Sequence, residues 1–96
     1  MALPPAGVLL RAAQLAIDDD KPVYLDYFRD SLDKKCSLGV RADDPQIKYL
    51  VKSDSEYTST IQDVKKCENC YIVVTENSLY IVSTEIPIKR IMAPTQ

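Results

Sequence analysis

The chain has 96 residues with 12 basic and 14 acidic side chains, a formal charge of −2, and no histidine. That length gives one small domain, 1–96, with a real core and little stability to spare, and a composition of 46% hydrophobic and 27% charged residues excludes wholesale disorder. The acidic balance disfavours a non-specific polyanion binder, and the missing histidine excludes a Ser-His-Asp triad, a Cys-His dyad and every His-containing metal site.

Residues 1–20 form an N-terminal arm and helix. Pro4 and Pro5 precede a run rich in Ala, Leu, Gln and Arg, and the spacing predicts a helix over 6–17. Val8, Leu9, Ala12, Leu15 and Ala16 fall on one face, which Leu10 and Ile17 widen, leaving Arg11 and Gln14 as the polar edge. Arg11 interrupts the apolar run and no basic segment leads it, so it does not read as a signal. No stretch reaches the roughly 18–20 apolar residues of a membrane span. Asp18, Asp19 and Asp20 end the helix as a solvated corner.

Residues 21–91 read as a β domain. Val23–Phe28 has strand composition, and 29–35 is a polar turn. Cys36–Arg41 is a short strand in which Gly39 marks a bulge or a close approach. Ala42–Pro45 is a turn set by Asp before Pro. In Ile47–Lys52, Ile47, Tyr49 and Val51 share one face and Lys48, Leu50 and Lys52 the other. Tyr57–Val64 extends more weakly, 65–69 is a polar connection, and Glu85–Ile91 is an edge segment because Pro87 bars it from a sheet interior. Residues 92–96 are a tail.

Cys70–Ser83 is the strongest β signal: two β-branched and aromatic runs around Glu76-Asn77. The register pairs Val74 with Leu79 and Ile72 with Ile81 on one side, and Val73 with Tyr80 and Tyr71 with Val82 on the other. Asn77 tolerates the left-handed backbone of such turns. Both faces are apolar, so both require cover.

Four constellations bear on chemistry. Cys67 and Cys70 form a C-x-x-C, but a tetrahedral site needs four ligands. Only Cys36 remains, so a zinc would need a carboxylate or another chain. The motif precedes a strand rather than a helix, unlike a thioredoxin-type site, and it reads first as a turn cysteine plus a packed strand cysteine. An odd cysteine count points to a reducing, intracellular compartment. The basic pairs Lys34-Lys35, Lys65-Lys66 and Lys89-Arg90 sit at loops or strand ends; converged, they would bind phosphates, and otherwise they are solvated guards of exposed edges. The carboxylates Asp18 to Asp20, Asp43 and Asp44 lack EF-hand spacing. The six tyrosines lie in or beside strands, suited to core or interface.

The strings D-S-L-D-K-K (30–35), V-K-S-D-S-E-Y-T-S (51–59) and T-E-N-S-L-Y-I-V-S (75–83) resemble short proteins of large nucleocytoplasmic DNA viruses. The resemblance spans about residues 21–91 and implies a virion- or capsid-associated component. It carries no functional residue. A helix before about five short strands is similar to Sm-like and SH3-like barrels, and the hairpin followed by P-I-K-R-I is similar to pleckstrin-homology-type domains; fold alone does not give function.

The expected fold is mainly β (α+β): an N-terminal helix and five or six short antiparallel strands in a small barrel or compact sheet. The expected function is a non-enzymatic binding or assembly module without cofactor, acting as a homo-oligomer or a subunit of a larger assembly. Its expected interface is Val8, Leu9, Leu15, Tyr71, Val73 and Tyr80, since one short helix cannot cover both hairpin faces. Three alternatives stand beside it. One is an Sm-like module binding single-stranded nucleic acid through the six basic residues. Another is a pleckstrin-homology-like adaptor. The third is an enzyme subunit sharing zinc at Cys67 and Cys70.

Overall fold

The computed structural model describes residues 3–53 and 56–91. The chain runs α1 (Ala6–Asp19), β1 (Val23–Tyr24), α2 (Phe28–Leu32), β2 (Ser37–Arg41), β3 (Lys48–Ser53), β4 (Glu56–Tyr57), β5 (Ile61–Cys67), β6 (Cys70–Thr75), β7 (Leu79–Ser83) and β8 (Ile88–Ile91). The fold is mainly β with an N-terminal helix. Its strands make two open four-stranded sheets rather than a closed barrel: sheet A in the order β1-β7-β6-β5 and sheet B in the order β4-β3-β2-β8. Both sheets are mixed, because β1 runs parallel to β7 and β8 parallel to β2.

The hairpin register is the expected one: Val74 pairs with Leu79, Val73 with Tyr80, Ile72 with Ile81 and Tyr71 with Val82. Alternation then divides its side chains between two cores. Ile72, Val74, Leu79 and Ile81 pack with Val8, Ala12 and Leu15 of α1. Val73 and Val82 pack with Tyr27, Cys36, Leu50 and Ile86, against sheet B. The molecule is thus three layers, with sheet A in the middle. Sheet B supplies the cover that one helix could not.

The hairpin turn closes by another device than the expected one. The Thr75 amide donates to the Ser78 carbonyl at 2.9 Å, and the Thr75 hydroxyl accepts from the Ser78 amide at 3.2 Å. Asn77 is not among the described non-glycine residues with positive φ, which are Asp20, Lys34 and Glu68.

Four segments depart from the sequence reading. Tyr57–Val64 is not one strand: Tyr57 ends β4 of sheet B, and Ile61 begins β5 of sheet A. Strand composition over 23–28 yields only the two residues of β1, and Tyr27 and Phe28 turn into α2. Packing overrides propensity there. Phe28 enters the helix-side core while its neighbour Tyr27 enters the inter-sheet core. Ser31, fully buried, then accepts the Ser83 amide at 2.9 Å and donates to the Phe28 carbonyl, satisfying β7 where β1 has ended. The polar stretch at 65–67 belongs to β5, an edge strand, where charged side chains are tolerated. Finally, α1 runs two residues past the expected end and closes with Asp20 in the left-handed region (φ 56°) and the Lys21 amide on the Ala16 carbonyl at 3.1 Å.

Gly39 marks a close approach. A Cβ there would meet Val51 Cγ2 at 2.8 Å and Ile91 Cδ1 at 2.9 Å, on the outer face of sheet B.

Candidate functional site

The thiols are dispersed. Cys67 and Cys70 face each other across the β5–β6 turn on the helix side of sheet A, whereas Cys36 lies in the inter-sheet core. All three are free. Burial pushes the Cys36 thiol up to about 11, helped by Asp30, and burial also raises Cys70, helped by Cys67 and Glu68. Raised thiols are poor nucleophiles and poor metal ligands. Among the described residues no three Cys, Asp or Glu side chains converge into a possible metal site. Asp43 pairs with Arg41 at 2.5 Å, which holds its carboxyl below the usual range, and Asp44 accepts the Gln46 amide in an Asx turn at 3.2 Å. Asp18 accepts from Gln14 at 3.2 Å.

The six basic residues do not form one patch. Alternation along β5 sends Lys65 to the helix side of sheet A, where it pairs with Asp63 at 3.0 Å, and Lys66 to the opposite face. Along β8 it likewise parts Lys89 from Arg90. Lys34 and Lys35 lie in the separate turn after α2.

The expected interface residues are mostly consumed within the chain. Val8 and Leu15 are buried between α1 and sheet A, and Val73 is buried between the sheets. Leu9, Tyr71 and Tyr80 are half-buried against the same two cores. The premise of an uncovered hairpin face fails because Leu38 of β2, Leu50 of β3, Tyr27, Cys36 and Ile86 pack against it.

Two apolar features stand out among the described residues after the cores are complete. One is the outer face of α1. Ala6, Leu10, Ala13 and Ile17 recur at helical spacing opposite the buried stripe, and all are exposed, Leu10 by 74% and Ile17 by 76%. The sequence reading placed Leu10 and Ile17 on the margin of the buried face; the signal it missed is their seven-residue interval, offset half a turn from Val8 and Leu15.

The other is a cleft of about 280 Å3 between the sheets, on the β5 side. Val64, Tyr71 and Val73 come from sheet A, Leu38, Lys48 and Ile88 from sheet B, and Thr84 and Ile86 from the segment crossing between them. A more open groove of about 540 Å3 runs between the end of α1 and β5, with Asp18, Asp19 and Asp63 facing Lys21 and Lys65. Its charges answer one another, and Lys21 donates to the Thr75 carbonyl at 2.9 Å and to Gln62 at 3.1 Å. No known protein family, curated protein or solved structure matches the chain.

Proposed function

We propose that the chain is a non-enzymatic assembly module that pairs with a second copy of itself through the outer face of α1. The observation that carries the reading is the exposed stripe of Ala6, Leu10, Ala13 and Ile17. Small and large residues alternate along it. Two copies laid antiparallel set Ala6 opposite Ile17 and Leu10 opposite Ala13, so each large side chain meets a small one. The same arrangement moves Asp18, Asp19 and Asp20 from the negative end of their own helix to the positive end of the partner's. No acidic residue occupies the first turn of α1, although Glu68 lies against Gly7 on its flank.

A 14-residue helix offers a contact only about 21 Å long. The interface is therefore of the small, transient class, with a dissociation constant on the order of 100 µM. The resemblance to small viral proteins makes a virion or its cytoplasmic assembly site the setting of such a module. The test is sedimentation equilibrium from about 10 µM to about 1 mM. Wild type is expected to pass from monomer to dimer, and Leu10→Glu is expected to stay monomeric with unchanged thermal stability. A wild type that remains monomeric throughout refutes the reading.

A further inference from the structure

The inter-sheet cleft has the chemistry of a ligand site, independent of the α1 stripe. Leu38, Val73 and Ile86 make an apolar interior, and the exposed Val64 and Ile88 make an apolar rim. Among the described residues Lys48 is the only charged side chain lining it.

Strand alternation turns three residues of β3 inward, Lys48, Leu50 and Lys52. The two lysines fare differently. Lys52 lies 4.9 Å from the centroid of the Tyr27 ring and pairs with Asp30 at 3.8 Å and Glu56 at 3.7 Å. Lys48 is half-buried and has no hydrogen-bond or ion-pair partner among the described residues. A partly desolvated charge is costly unless it is paired. Val40 pairs with Lys48 on one side and Arg90 on the other, so Arg90 stands on the same face about 10 Å from Lys48, two strand spacings away. Among the described residues no carboxylate lines the cleft.

We propose that this cleft binds a small amphipathic anion, a single alkyl chain ending in a carboxylate, with the chain among Leu38, Val73 and Ile86 and the carboxylate on Lys48. A volume of about 280 Å3 sits at the lower bound of ligand cavities, which excludes bulky ring systems. A single lining cation on a protein of charge −2 does not suit a polyanion.

The experiment titrates hexanoate, octanoate and decanoate, each below its micelle concentration, into the 15N-labelled full chain, with octanol as the neutral arm and anionic phospholipid vesicles as the membrane arm. The expected result is saturable amide shifts at Leu38, Val73, Thr84 and Ile86. Affinity should rise about fourfold per methylene until the cleft is full. Octanoate should bind more tightly than octanol, and Lys48→Gln should weaken octanoate about fivefold and erase that preference. Ile88→Glu, an exposed rim change that leaves the core intact, should weaken it as well. The proposal is overturned by unsaturable or scattered shifts, by equal binding of octanoate and octanol, by undiminished binding in Lys48→Gln, or by binding to vesicles alone.

Discussion

Shortening Val73 to Ala separates a three-layer protein from a two-layer one. Val73 is 1% exposed and Ile72 fully buried, and the two neighbours point into different cores. Val73→Ala removes two methylene equivalents, about 1.6 kcal/mol of transfer free energy, and leaves a cavity costing about 24 cal/mol per Å3. Together these come to about 2–3 kcal/mol. Ile72→Ala, on the helix side, costs about 3–4 kcal/mol by the same reasoning. A domain of this size has roughly 5–15 kcal/mol in total, so both variants still fold. Urea titration reads the difference as a fall in midpoint at constant slope, and thermal melting as a loss of about 8–20 °C for Val73→Ala. A Leu50→Ala cycle adds a check, because Leu50 of sheet B lies in the same cluster as Val73. Their coupling is expected to reach about 0.5 kcal/mol or more. If Val73→Ala costs less than about 0.5 kcal/mol while Ile72→Ala costs its full amount, sheet B does not cover the hairpin and the three-layer account is wrong.

Asp20 ends α1 in a left-handed conformation and places an acid at the negative end of the helix dipole, so Asp20→Gly should stabilise by about 1 kcal/mol and raise the melting temperature by about 4–8 °C; an unchanged or lower value contradicts the assignment. Alkaline pH should destabilise the fold through Cys36. Burial favours its neutral thiol and raises its value from 9 to about 11, so this contribution is complete below about pH 9 and is lost as pH rises through about 11. Its size is about 2–3 kcal/mol, and Tyr27, also raised mainly by burial, carries the loss further above pH 10. Urea titrations at pH 7.5, 9, 10 and 11 should show the decline, and Cys36→Ala should flatten its first part.

The sequence exposes those parts of the fold where local pattern and tertiary environment agree. The hairpin register follows from placing the turn at Glu76-Asn77 between two strand-forming runs, and α1 from its spacing after two prolines. The division of β3 into two faces was legible from alternation. The remainder is hidden by non-local pairing. β1 and β8 join their sheets in parallel, a relation that no turn residue announces. Tyr27 and Phe28 have strand composition, yet each is drawn into a different core. Of the candidate site, the shared face of Lys48, Leu50 and Lys52 could be read from the sequence, whereas the inward turn of Lys48 could not, since Ile47, Tyr49 and Val51 make the more apolar face. Nor could its isolation, because Lys52 occupies an equivalent position and finds Asp30, Glu56 and Tyr27.

The two proposed surfaces lie on opposite sides of sheet A, and that placement makes them separable. The outer stripe of α1 is the far surface of the first layer, whereas the cleft opens between the second and third. Sheet A between them is the most thoroughly buried part of the chain, with Ile72, Leu79, Ile81 and Val82 fully enclosed. Close-packed interiors resist small adjustments, so the middle layer isolates one surface from the other. Leu10→Glu should therefore abolish pairing while leaving octanoate affinity unchanged, and Lys48→Gln should weaken octanoate about fivefold while leaving pairing unchanged, the coupling between the two changes staying within about 0.5 kcal/mol. Loss of both properties in either variant would mean that the layers move together, and that sheet A transmits rather than isolates.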